Sequence, residues 1–246
     1  MKNQLNTVLA EACRQGLADG VCSAVTAGIS VGWNTGRIHV KFAGGRTRFD
    51  DTGLPVEEGT FFDLASLTKP LCTTLLTLSL VGQDRLHLHS SLADILGGPV
   101  VEEKKYIEIR ELLNHSSGLP PYQSYFEEFM AQPSAEAKHQ LINRIFLEPL
   151  AYPTGSECHY SDLGFILLGH LVEYITGLPL QTSFRQQITE RLGLAEDLFF
   201  LPLDRPLAVD RTRIAATESC RWRGRTLQGE VHDEHGWLMG GVAGHA

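Results

Sequence analysis

The chain has 246 residues, 43% of them hydrophobic and 20% charged, which is enough for one large domain or two modest ones and excludes a peptide, a coiled coil and a disordered tail. Its formal charge of −8, from 21 Lys and Arg against 29 Asp and Glu, leaves no basic surplus for a phosphate backbone, so no nucleic-acid partner is expected. The longest apolar stretch, Leu71 to Val81, is short and broken by three threonines and a serine, so no membrane span is expected either.

Along the chain, Leu5, Val8, Leu9, Ala12 and Cys13 fall at helical spacing and predict a surface helix in place of a signal peptide. Five cysteines, Cys13, Cys22, Cys72, Cys158 and Cys220, are odd in number and irregularly spaced. Reduced thiols in a cytoplasmic protein follow as the expectation, or a periplasmic protein if a leader precedes this sequence. Ala24 to Val31 and Arg37 to Ala43 predict two strands around an Asn34-Thr35-Gly36 turn. After a loop from Gly44 to Gly59, an apolar helix is predicted from Ser66 to Gly82, buried because its apolar residues lie almost all round.

A short amphipathic helix is predicted from Ile107 to Asn114, stopped by Gly118 and Pro120. Further helices are predicted over Ala135 to Phe146, from Ser161 to Thr176 with Gly177 as its C-terminal signal, and over Pro179 to Leu192. Ala195 to Ala246 carries turn residues and only short strand candidates. No repeat or flexible linker separates domains. Three intertwined stretches are expected: 1–65 with the first helix and strands, 66–195 mostly helical, and 196–246 irregular and leading back toward the sheet.

The sharpest chemical feature is Ser66-Leu67-Thr68-Lys69. Residues three apart on a helix share a face, so the Ser66 hydroxyl and the Lys69 amine can meet, and Pro70 suits a first helical turn. Free N–H groups at such a helix start favour the negative charge of an attacked carbonyl oxygen. A desolvated lysine can lose its proton and act as a base. The plainer alternative is a capping serine beside a solvated lysine.

Leu64-Ala65-Ser66-Leu67-Thr68-Lys69, then Leu112-Leu113-Asn114-His115-Ser116-Ser117-Gly118-Leu119-Pro120, then Pro153-Thr154-Gly155-Ser156-Glu157 followed by Tyr160-Ser161-Asp162-Leu163-Gly164, occur in that order. Together they resemble the serine β-lactamase and penicillin-binding-protein superfamily, especially its class C branch with related esterases and D-alanyl-D-alanine carboxypeptidases. The resemblance runs from about Val21 to the end of the chain. It implies Ser66 as nucleophile, Lys69 as its proton partner and Tyr160 as a second base or acid facing the leaving group, with Ser116, Asp162 and His245 supporting substrate. Asp162 stands where the pattern has Asn; an ionised aspartate only accepts hydrogen bonds, which weighs against efficient β-lactam turnover and suits an ester. Ser161 or Asp162 would equally cap a helix.

Other candidates are read as structural. His232-Asp233-Glu234-His235 has no third ligand at a defined spacing and no obvious helix, so no metal site is expected. His87 and His89 alternate as on an exposed strand or loop, Glu148 belongs to the loop entering the Tyr160 segment, and His115 holds its own loop by hydrogen bonds. The Gly240 to Ala246 segment precedes the position of the superfamily's third motif, leaving His245 as a loop residue near the site.

The expected fold is α+β and β-lactamase/transpeptidase-like, an antiparallel sheet flanked by helices plus an all-helical region. The expected activity is that of a serine hydrolase forming a covalent acyl-enzyme on a small ester, amide, peptide or β-lactam, without metal or organic cofactor. The alternative is a penicillin-recognising or regulatory module with little or no turnover. The resemblance also implies further sheet strands beyond Ala246, so a truncated chain is expected, its two-stranded hairpin marginal by itself in water.

Overall fold

The computed structural model describes residues 1–32, 37–97, 102–129 and 132–246. In chain order its elements are α1 (Lys2–Ala18), β1 (Ala24–Val31), β2 (Ile38–Gly45), a 3-10 turn (Ala65–Leu67), a π-helical turn (Lys69–Thr74) running into α2 (Leu75–Gly82), α3 (Leu92–Leu96), α4 (Ile109–Leu113), α5 (Tyr125–Phe129), α6 (Ala135–Leu147), α7 (Asp162–Thr176), α8 (Leu180–Phe184), β3 (Ser219–Cys220), β4 (Arg225–Thr226) and α9 (Glu234–Leu238). They form two compact units, each built from two chain segments: Met1–Asp63 with Leu207–Gly229, and Leu64–Pro206 with Glu230–Ala246.

In the first unit β1 and β2 pair antiparallel from Ala24↔Gly45 to Val31↔Ile38, and α1 packs on them. The Asn34-Thr35-Gly36 turn lies outside the described residues. The second segment joins through backbone bonds, Phe61 N–H to the Arg213 carbonyl at 2.8 Å and Ala216 N–H to the Thr47 carbonyl at 2.7 Å. Among the described residues each sheet has two strands, β1-β2 and β3-β4.

The second unit is helical and holds a continuous core. At its centre lies α7, in which Leu163 to Gly169, Leu171 and Val172 are all buried. Burying each large apolar side chain contributes roughly 1.5–3 kcal/mol, so this one helix anchors the unit. Its ends are set locally: Ser161 Oγ accepts the Gly164 N–H at 3.2 Å, and Gly177 closes it at φ +69°, a left-handed conformation that favours glycine.

The segment from Ser66 to Gly82 departs from the expectation of a uniformly buried helix. Lys69, Cys72, Thr73, Leu76, Thr77 and Leu80 form one buried stripe at helical spacing, while Leu67, Leu75 and Leu78 lie exposed on the other. Periodicity could not separate the two because the exposed stripe is also apolar. The predicted Pro179 to Leu192 helix is likewise divided, α8 giving way to a π-helical turn over Arg185–Thr189. No single helix among the described residues is long and apolar enough to cross a membrane.

Candidate active site

The site is built where the 3-10 turn meets the π-helical turn. Ala65 has φ +44°, an uncommon conformation for a residue with a Cβ, which marks local strain just before Ser66. A π-helical turn is itself rare and frequent at functional sites. The turn from Ser66 to Lys69 points both side chains the same way: Ser66 is exposed, Lys69 is only 3% exposed, and Lys69 Nζ donates to Ser66 Oγ at 3.0 Å. The i, i+3 pairing read from the sequence is therefore present in space.

Two further acceptors surround the same nitrogen. Lys69 Nζ donates to Asp162 Oδ1 at 2.6 Å and to the His245 backbone carbonyl at 3.0 Å. An ammonium has three protons and no acceptor capacity, so these three oxygens match its donors one for one. The two capping alternatives at the start of α7 resolve into a division of labour. Ser161 caps the helix, also donating to the Pro120 carbonyl at 2.7 Å, and this leaves the Asp162 carboxylate free to face Lys69.

Tyr160 precedes that cap and stands over the lysine, its ring centroid 4.7 Å from Lys69 Nζ. It is 52% exposed, so it is not an aromatic packed in the core. Tyr160 also stacks on His115 at 4.7 Å between ring centroids.

His115 fastens the loop as expected. Its Nδ1 accepts the Ser161 N–H at 3.0 Å, and its carbonyl accepts the His159 N–H at 3.0 Å and the Tyr152 hydroxyl at 3.0 Å. Burial, with the Lys69 charge adding to it, lowers the His115 pKa, which suits a ring nitrogen that must accept. Ser116, by contrast, donates its hydroxyl to Asn114 Oδ1 at 2.6 Å.

His245 enters through its backbone, and the way the chain reaches it was missed by sequence reasoning. The 240–246 segment lies against α7 at a glycine contact: a Cβ on Gly169 would meet Gly244 Cα at 2.9 Å, and one on Gly244 would meet the Phe165 carbonyl oxygen at 2.3 Å. Thr73 Oγ1 donates to the Gly244 carbonyl at 2.6 Å, which aims the next carbonyl at Lys69. The only sequence signal for this docking is the run of glycines.

The His232 to His235 stretch also requires correction. Asp233 caps a helix after all, accepting the Gly236 N–H at 2.6 Å, and a third group does arrive: His245 Nε2 lies 2.8 Å from Asp233 Oδ1. Nine residues of glycine-rich chain between His235 and His245 hide this grouping from any test of ligand spacing. Burial holds the His235 imidazole low, at about 4, between Tyr122 and Tyr125, whose ring centroids are 5.1 and 5.7 Å away.

The remaining candidates stay apart from the reacting groups. Glu148 accepts from the Tyr125 hydroxyl at 2.8 Å, Gln123 Nε2 at 3.0 Å and Arg144 Nη1 at 2.9 Å, and its carbonyl accepts from the buried Lys104. His89 pairs with Glu108 at the surface, and His87 lies in the same loop. The Cys72 thiol is buried, which pushes its pKa up and removes it as a nucleophile.

The chain is similar to several known proteins. A family model described as Beta-lactamase matches residues 14–241. An N-acetylmuramyl-L-alanine amidase of Bacillus subtilis (strain 168) is 34% identical over 204 residues, which are 76% of this chain and 46% of the amidase. A putative D-alanyl-D-alanine carboxypeptidase of Escherichia coli (strain K12) is 33% identical over 204 residues, 76% of this chain and 47% of that protein. The chain thus spans about half the length of the curated relatives it matches. Among solved structures, a class C beta lactamase superposes with a TM-score of 0.72 at 16% identity, covering 99% of this chain and 61% of the other.

Proposed function

Because the chain belongs to the β-lactamase family and has the β-lactamase/transpeptidase fold, we propose that it is a serine hydrolase working through a covalent acyl-enzyme, with Ser66 as nucleophile. The observation that carries this reading is the exposed Ser66 Oγ held 3.0 Å from the buried Lys69 Nζ, the nucleophile-and-base geometry of covalent catalysis.

In the resting arrangement all three Lys69 protons are placed on acceptors. Lysine becomes a base once one has left to water, while Asp162, at 2.6 Å, stays an ionised acceptor. The neutral amine then accepts the Ser66 hydroxyl proton as Oγ bonds to the substrate carbonyl carbon. The Ser66 backbone N–H, at the 3-10 turn, stabilises the oxyanion. Collapse of the tetrahedral intermediate breaks the bond to the leaving group, which takes a proton from the Tyr160 side of the lysine. Water then adds to the acyl-enzyme, the Ser66–acyl bond breaks, and the acid and free serine are released.

For the substrate, Asp162 accepts but does not donate, so it cannot hold a carbonyl oxygen as an asparagine amide would. This favours an ester, or a peptide-like amide gripped by other groups, over a β-lactam. The amidase and carboxypeptidase names of the relatives keep cell-wall amides within that class.

The test is intact mass spectrometry after incubation with a fluorophosphonate and with a fluorescent penicillin, alongside hydrolysis of a short-chain nitrophenyl ester. Wild type is expected to gain one adduct at Ser66 and to turn the ester over. Ser66→Ala is expected to show no adduct and a rate at least about 10³-fold lower. A stable adduct without turnover identifies a penicillin-recognising module instead, and equal labelling of Ser66→Ala removes the proposal.

The position of Tyr160 yields a sharper result. Tyr160→Phe should slow hydrolysis of an alkyl ester by about 10²-fold, because an alkoxide needs a proton to leave, while a nitrophenyl ester, whose anion leaves unaided, is slowed far less. Equal slowing of both esters would assign Tyr160 to binding only.

A further inference from the structure

Outside the reacting groups, the second unit brings three potential ligands together in its interior. Asp233, His235 and His245 each offer one ligand atom, and these atoms all lie within 4.8 Å of one another. His235 is 0% and His245 1% exposed, and the Asp233 side chain is 21% exposed. Both ring nitrogens of His235 and Nδ1 of His245 are buried without a hydrogen bond among the described residues; the Gln123 backbone approaches the His235 ring without reaching that geometry. A buried polar atom left unpaired costs about 1–3 kcal/mol, and native proteins rarely leave several together. A second imidazole, His245, and the Asp233 carboxylate, with ligand atoms within 4.8 Å of those of His235, make the orphaned imidazole more than a packing defect.

We propose that Asp233, His235 and His245 bind a divalent transition-metal ion, with zinc the best match to two imidazoles and one carboxylate. Zinc takes nitrogen and oxygen ligands at about 2.0–2.2 Å in tetrahedral array, which sets ligand atoms roughly 3.4 Å apart. The 2.8 Å contact of His245 Nε2 with Asp233 Oδ1 is close to that separation, the metal replacing the shared proton. His235 closes the triangle by a movement of about 1–1.5 Å, within reach of a side-chain rotation, and its own helix start is already fixed by the bond of Gly236 N–H to Asp233. Two imidazoles with a carboxylate suit zinc and its first-row neighbours and are a poor match to magnesium or calcium.

Such an ion ties α9 to the segment carrying His245. The carbonyl of that same residue receives Lys69 Nζ, so the metal fixes a partner of the lysine without touching the reacting atoms. Its place is that of a clamp behind the site, and its binding does not depend on the proposed acyl-transfer reaction.

The 246-residue chain, freed of metal by dialysis against a chelator, is titrated with Zn²⁺ against a chromophoric competitor and with Co²⁺ followed by visible absorption. One equivalent of Zn²⁺ is expected to bind at micromolar concentration or below, and Co²⁺ to give the intense d–d bands of a four-coordinate site. His235→Gln and Asp233→Asn, checked for folding by circular dichroism, should each weaken Zn²⁺ at least about 10-fold. Absence of stoichiometric binding, or unchanged affinity in both variants, overturns the assignment. Should the variants not fold, X-ray absorption on the Zn²⁺-loaded wild type decides: a nitrogen and oxygen shell with two imidazoles supports the site, and a shell containing sulfur or lacking imidazole overturns it.

Discussion

Lys69→Ala is expected to lower the rate of Ser66 acylation by about 10³-fold, the middle of the range for loss of a positioned proton acceptor. It should do so without removing the nucleophile, so a fluorophosphonate adduct still forms, slowly, where Ser66→Ala forms none. The same change carries a structural cost, because Lys69 Nζ serves Ser66, Asp162 and His245 together. Its removal leaves the Asp162 carboxylate without its partner at 2.6 Å. Breaking a fully buried pair costs about 3–5 kcal/mol; since the Asp162 side chain keeps 21% of its exposure, water reaches it and about 2 kcal/mol is expected. The pairing is checked by Lys69→Ala/Asp162→Asn, which removes the stranded charge. The double variant should regain most of the lost urea midpoint and none of the lost acylation rate. Recovery of the rate would mean that the loss in Lys69→Ala came from the stranded Asp162 charge, and not from loss of the proton acceptor.

The second large effect is expected at a residue with no side chain. Gly244→Ala places a methyl group 2.3 Å from the Phe165 carbonyl oxygen, and that oxygen belongs to the buried backbone of α7, which has no room to yield. Overpacking ordinarily costs about 1–3 kcal/mol, and a clash with fixed backbone belongs at the upper end. A fall in melting temperature of about 10 °C follows for a chain of this length. The Thr73 hydroxyl loses its acceptor, and the His245 carbonyl is carried off Lys69, so acylation falls as well. Gly240→Ala is the control: Gly240 has φ +81° with nothing within 4 Å of an added Cβ, so it meets only conformational strain, about 1 kcal/mol. A melting temperature for Gly244→Ala within 2–3 °C of wild type would show that the segment does not dock on α7 as described.

These two residues mark the limits of what is legible in the chain. Ser66 and Lys69 are readable because residue type and spacing both carry the message: two reactive groups three apart on a helical turn must share a face. Tyr160 and Asp162 are readable as a pair at the start of an apolar helix, and the structure brings both to Lys69. The His245 carbonyl could not be read in this way. A backbone oxygen is present at every residue, so nothing in the sequence marks the one that Lys69 reaches. Ser116 shows the converse, a serine in a matching segment whose hydroxyl is spent on Asn114.

The apolar pattern of α7, the serine at its N-terminus and the glycine at its C-terminus determine that helix from local chemistry, and the Ser66 to Lys69 segment determines its own pairing. Which stripe of Ser66 to Gly82 is buried, where the glycines at 169 and 244 touch, and how His245 comes to lie beside Asp233 and His235 are decided by tertiary packing. The physical reason is range: helix caps and i, i+3 contacts are settled by neighbours along the chain, whereas a backbone approach needs two distant segments to exclude the same side chain from the same space.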